Sequence, residues 1–174
     1  MSKKTVFKPW FGWDVAHIET YLESMALKGW QLEKVSFAMM LFRFTSGASQ
    51  KLSFQVDFRP QANLEYQRLF KDDGWEHINS SAGWVMWAKP YQDHRPHIFT
   101  DNQSLLERNR RLIFIIILAL LTQFPAVILS LTDSLFDQIT TGLILFLFFY
   151  GLCIGFLIFG LLRLWRANSN LRQS

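Results

Sequence analysis

Twice in the second half of the chain, apolar positions run unbroken by charge. Leu112–Leu131 and Gly142–Leu162 are each about 20 residues long. At about 1.5 Å of rise per residue, either run in helical form matches the hydrocarbon thickness of a bilayer. Arg108, Arg110 and Arg111 precede the pair, and Arg163, Arg166 and Arg172 follow it. The connector Asp133–Thr141 carries two Asp and no Lys or Arg. Positive charge is retained on the cytoplasmic side, so this arrangement predicts two spans with both chain ends in the cytoplasm.

Two other periods govern the first hundred residues. In 14–28, Val15, Ile18, Leu22 and Met25 fall on one helical stripe, with Glu19, Glu23 and Lys28 elsewhere. Asp14 can cap that helix, and Gly29 suits the left-handed residue that ends it. Residues 61–73 repeat the stripe with Ala62, Tyr66, Leu69 and Phe70 and end at Gly74. An offset of 45 residues carries Tyr21, Gly29 and Trp30 onto Tyr66, Gly74 and Trp75.

Period-two runs flank each helix. The clearest is 51–59, where Leu52, Phe54, Val56 and Phe58 alternate with polar residues. Its counterpart in the first copy is Thr5–Trp10. Strand-like pairs follow each Gly-Trp, at about 31–37 and 39–45, then at 75–80 and 84–89, and Thr45–Gln50 is the turn between copies. The expected fold is α+β, a tandem βαββ repeat in which one antiparallel sheet carries both helices on one face. It occupies a cytoplasmic domain 1–99, with repeats at about 5–46 and 51–89. A juxtamembrane helix 100–111, spans 112–132 and 142–164, an extracytoplasmic loop 133–141 and a cytoplasmic tail 165–174 complete the chain.

Charge narrows the partners. Of 18 basic and 14 acidic residues, 12 and 11 lie at or before Ser104, so the excess belongs to the membrane flanks. A nucleic-acid face would need that excess on the folded domain, so no nucleic acid is expected. Cys153, inside the second apolar run, is the single cysteine, so neither a disulfide framework nor a cysteine zinc site can form within one chain. The start MSKKTVFKPW has no apolar segment of the kind a signal peptide needs.

The combination MALKGWQLEKVSF, FQVDFRP, LFKDDGWEHINSSAGWVMWAKP and IFTDNQS, followed by a membrane hairpin, resembles the bacterial membrane-protein family called domain of unknown function 2812. The resemblance covers roughly residues 7–104 and implies a bacterial origin. It implies no catalytic residues, since that family has no established activity.

Candidate chemistry is sparse. Six of seven tryptophans lie in the first domain, and strand 84–89 is apolar on both sides, as is 37–44. With helices on one face only, the other face would be core, a contact surface or a ligand groove, and Trp84, Met86 and Trp87 are the candidate binding residues. His94 and His97 bracket Pro96, a spacing read as a polar linker rather than a metal pair. Asp57 and Arg59 are expected on a solvated strand face in a cross-strand ion pair. Asp72 and Asp73 read as a solvated helix end. No phosphate loop, nucleophile elbow or paired-carboxylate arrangement occurs, so neither an enzyme nor a cofactor is expected.

Thr100 and Gln103 have the spacing of a capping box that would start the juxtamembrane helix. Inside the spans, Gln123 and Tyr150 fall at one depth, where an amide-to-hydroxyl bond is expected, and Gly151 and Gly155 form a GxxxG face for helix pairing. Pro125 is expected to kink the first span. Arg110, Arg111, Arg163, Trp165 and Arg166 are the interface anchors. The expected function is a membrane-tethered cytoplasmic regulatory or sensing module that binds a protein or ligand. The alternative is a structural or accessory subunit of a larger membrane complex, with an enzyme acting on lipid or peptidoglycan precursors third. The expected partners are the bilayer and either another protein or a second copy.

Overall fold

The computed structural model describes residues 2–37, 39–96, 102–136 and 141–173, excepting some helix side chains. They form two compact units, dividing between Asp101 and Asn102.

The first unit is the expected duplication. Copy one is β1 (Lys3–Phe7), α1 (Val15–Leu27), β2 (Trp30–Ser36) and β3 (Leu41–Ser46); copy two is β4 (Leu52–Phe58), α2 (Leu64–Asp72), β5 (Glu76–Ser81) and β6 (Trp84–Pro90). Each copy builds its own antiparallel three-stranded sheet, in the order β1-β3-β2 and β4-β6-β5. The shared 45-residue offset extends to fine detail. Gly29 and Gly74 end their helices at φ 78° and 80°, a region glycine enters without steric cost. A bulge falls between Leu32 and Lys34 in one copy and between His77 and Asn79 in the other. Phe37 and Ala82 turn the two hairpins at φ 49° and 51°.

Two sheets stand where one was expected, and the helices do not share a face. The buried residues of α1, Ile18, Leu22 and Met25 among them, meet Val35, Phe42 and Phe44 of the first sheet. The same core takes in Phe54, Val56, Met86 and Ala88 of the second sheet. Residues one apart on a strand face opposite ways, so Val85 and Trp87 point to the other side, where they pack with Tyr66, Phe70 and Trp75 around α2. Strands β4 and β6 of the second sheet are thus buried on both faces, and that is why β6 is apolar on both sides. Each fully buried Phe contributes roughly 1.5–3 kcal/mol.

The edge of β4 is closed by α1. Glu19 accepts hydrogen bonds from the Val56 amide (2.8 Å) and the Gln55 side-chain amide (3.1 Å), and Glu23 accepts from the Phe54 amide (3.2 Å). Unpaired edge amides would otherwise invite another strand. Glu19 is therefore buried, not on a solvated side of the helix. Arg95 holds Glu23 in place with bonds of 2.7–3.1 Å, and the carboxylate raises the guanidinium pKa further. Asp14 makes no side-chain cap, whereas Asn63 caps α2 by accepting from the Tyr66 amide.

The second unit is α3 (Asn102–Phe136) and α4 (Thr141–Gln173). Asn109 bonds Asn168 (2.8 Å) and Tyr150 bonds Gln123 (2.9 Å), which fixes the helices as antiparallel. Pro125 lies inside α3. Among the described residues one helix, Ile144–Arg172, is long and apolar enough to cross a membrane, with mean hydropathy 2.6. Leu112–Leu131, the other expected span, runs on into side chains outside the described residues. One candidate span therefore stands where the sequence predicts two. Thr100, the expected helix cap, and His97 also lie outside the described residues.

Candidate functional site

The aromatic face expected at Trp84, Met86 and Trp87 is interior. Met86 and Trp87 are 0 % exposed and point to opposite faces of the second sheet. Trp84 is half-buried, with its ring 4.8 Å from Trp10 and 5.0 Å from Phe58. Once the helices take different sides, no uncovered aromatic face is left for a partner there.

Asp57 also departs from expectation. It is 1 % exposed and accepts a hydrogen bond from the Tyr66 hydroxyl (3.2 Å), which itself accepts from the Trp87 indole (3.3 Å). The Arg59 guanidinium lies 5.0 Å from the centre of the Tyr66 ring. Burial, reinforced by the Asp57 charge, pushes the Tyr66 hydroxyl well above the usual phenol range, so it stays protonated and donates. The register of copy one places Val6, Tyr21, Phe44 and Lys8 at the corresponding positions. There Lys8 covers Tyr21 at 4.6 Å and Tyr21 meets Phe44 edge-on. The cation, tyrosine and ring recur, but the carboxylate and the indole N–H belong to copy two alone. With Asp57 inaccessible, this network fastens α2 to its sheet rather than meeting a substrate.

Asp73 accepts from the Trp75 indole (2.9 Å) and from Lys89, so it is not merely a solvated helix end. Its neighbour Asp72 is exposed. His77 contacts Ser80 (2.7 Å), and partial burial with Lys71 nearby lowers its pKa. His94 is exposed, while Arg95 of the same linker makes the Glu23 pair. Among the described residues no three His, Cys, Asp or Glu side chains are placed to hold a metal.

A concavity does exist, at the seam between the copies. About 510 Å³ opens between β2 and the second sheet, floored by Leu32, Leu52, Phe54, Ile78 and Ala88. Gln31, Glu76, Lys51 and Tyr91 stand at its rim. Gln31 and Glu76 are the same position in the two copies, and Lys51 donates to the Gln92 carbonyl (3.0 Å). An apolar floor with an amide, a carboxylate and a phenol at its rim suits a ligand with an apolar body. The 45-residue offset could have singled out Gln31 and Glu76 as a polar pair at one repeat position. Their convergence on a shared groove needed the arrangement of the two sheets.

A family model described as a protein of unknown function, DUF2812, matches residues 14–121. The chain belongs to the DUF2812 family. The matched region begins one residue before α1 and ends within α3, so it takes in α1 through β6 and the start of the helical unit and leaves β1 outside. Comparison with curated proteins and with solved structures found no match.

In the helical unit of this DUF2812 protein, Tyr150 reaches the backbone carbonyl of Gln123 rather than its side-chain amide. Gly151 and Gly155 are exposed, and a Cβ added to either would meet nothing within 4 Å. They therefore do not mediate the α3–α4 contact. Arg110, Arg163, Trp165 and Arg166 are exposed and Arg111 is half-buried.

Proposed function

We propose that the protein is a membrane-anchored binding module whose seam groove holds a partly apolar ligand or peptide segment, without catalysis. The observation that carries this reading is the groove itself, an apolar-floored cavity of about 510 Å³ with polar groups at its rim. The anchor is the apolar helix Ile144–Arg172. In this reading Leu112–Leu131 is a second span, both chain ends are cytoplasmic, and the module has a regulatory or sensing role. The arginine flanks and the acidic connector support that topology.

A photoreactive residue in place of Tyr91, activated in intact membranes, should yield a covalent adduct that disappears when Leu32→Trp fills the groove. Absence of an adduct, or an adduct unchanged by the filling substitution, refutes the reading. Cysteines placed at Ser134 and Ser169 in a Cys153→Ala background should react with an impermeant reagent from opposite sides of the membrane.

A second reading is favoured by the open space beside Gly151 and Gly155. Such a face lets another helix approach closely, as an accessory subunit of a larger complex would require. Gly155→Ile should then shift the complex to lower mass on native gels, and unchanged migration counts against it.

A further inference from the structure

Between α3 and α4, where the arginine-rich ends of the two helices meet, lies a second cavity of about 440 Å³. Arg110 lines it from α3 and Arg172 from α4, with Gln103 and Asn168 beside them and Ile113 and Trp165 as apolar wall. The bond between Asn109 and Asn168 fixes the two helices at this level. Over 103–113 and 163–173 there are six Arg against one acid, Glu107. Two guanidinium groups from separate helices line one cavity with a single carboxylate, Glu107, so the lining keeps a positive charge that favours an anion. Their planar forks match the oxygens of a phosphate.

We propose that this cavity binds a phosphate group, either that of an anionic lipid headgroup or that of a free phosphate-bearing molecule. Arg110 and Arg172 bind its oxygens from two sides. Glu107 also lines the cavity, leaving a net single positive charge among these three, matched to a phosphodiester. Ile113 and Trp165 give the attached glycerol and acyl carbons an apolar wall. The lipid source rests on the reading of α4 as a membrane anchor, because the cavity lies toward the Arg172 end of the candidate span. Basic pockets between membrane helices are where such headgroups bind.

The test uses the full chain in detergent, with native mass spectrometry counting bound phosphatidylglycerol against phosphatidylcholine. The wild type should retain the anionic lipid preferentially. Arg110→Gln with Arg172→Gln should weaken retention about tenfold or more, as expected for lost charge-assisted hydrogen bonds. Arg163→Gln with Arg166→Gln removes equal charge from the same end without lining the cavity and should lower retention clearly less than the cavity pair does. Arg110→Lys with Arg172→Lys keeps the charge and should restore part of the binding, which separates a binding role from a folding defect. Displacement of the lipid by inorganic phosphate assigns the site to a free anion, and resistance assigns it to the lipid. Equal losses in the two glutamine pairs, or no loss in either, overturn the proposal. Flotation of the wild type with phosphatidylcholine vesicles checks the anchor separately, since it requires no anionic headgroup.

Discussion

The two sheets of the first unit share strand order, bulge position and turn geometry, yet one exposes its edge strand and the other buries two of its three strands. In β1 the pattern is nearly all exposed, whereas β4 and β6 are buried along most of their length. The difference lies in where the helices go. α1 buries six residues, contributes to a core shared by both sheets and closes the edge of β4. α2 buries only Tyr66 and Phe70 and leaves Leu64 and Leu69 about 70 % exposed. Duplicated chain segments therefore do not carry duplicated environments. The copy that must bury both faces of two strands acquires the indole and the carboxylate that hold its short helix.

The largest test of that contrast is truncation of the central strand. Trp87→Ala should cost about 3–5 kcal/mol in chemical denaturation, whereas Trp87→Phe, the ring type found at Phe44, should cost about 1 kcal/mol. A loss below about 1 kcal/mol for the alanine variant would mean that α2 does not depend on this contact.

Next comes the carboxylate that copy one lacks. Asp57→Val should cost about 1–3 kcal/mol, because the buried Tyr66 hydroxyl loses its acceptor. Adding Tyr66→Phe should recover part of that loss, since it removes the stranded hydroxyl but leaves the buried Trp87 indole without its acceptor. A double-mutant cycle with no coupling would break the comparison.

The edge clamp should give a comparable or somewhat smaller effect. Glu23→Ala removes the acceptor for Arg95 and the Phe54 amide and should cost about 1–2 kcal/mol, with faster hydrogen exchange at Phe54. Copy two has Arg68 at the corresponding helix position, which offers no carboxylate to accept from a strand edge.

The smallest effects are in pH. The Tyr66 pKa is raised above 10.0, the value expected in the unfolded chain. Its stabilising contribution is complete below that value and is lost as pH climbs through the folded-state value. Stability should fall at alkaline pH more steeply in the wild type than in Tyr66→Phe. For His77 the sign reverses. Its folded pKa lies below 6.5, so acidification below that value favours the unfolded chain, and His77→Gln should flatten the acid limb. Equal slopes in variant and wild type would remove these groups from the account.

Much of the architecture was legible in the residues. Tyr21, Gly29 and Trp30 repeating as Tyr66, Gly74 and Trp75 disclosed the duplication, and a glycine after each stripe marked both helix ends. The candidate site was not legible. Trp84, Met86 and Trp87 read as a surface only while both helices were assigned to one face, and Asp57 read as solvated because strand alternation says which residues share a side, not which side is wet. Glu19 and Glu23 looked like ordinary helix charges, because an edge strand needing acceptors has no local signature.

By itself the sequence determined the repeat, its elements, the apolar runs and the clustering of arginine at their ends, since each follows from local periodicity and composition. Only the tertiary structure decided which face each helix covers, which polar groups are buried, and that Gln31 and Glu76 line one cavity and Arg110 and Arg172 another. Those outcomes depend on contacts between residues far apart in the chain, and hydrophobic burial, being non-directional, does not specify them from pattern alone.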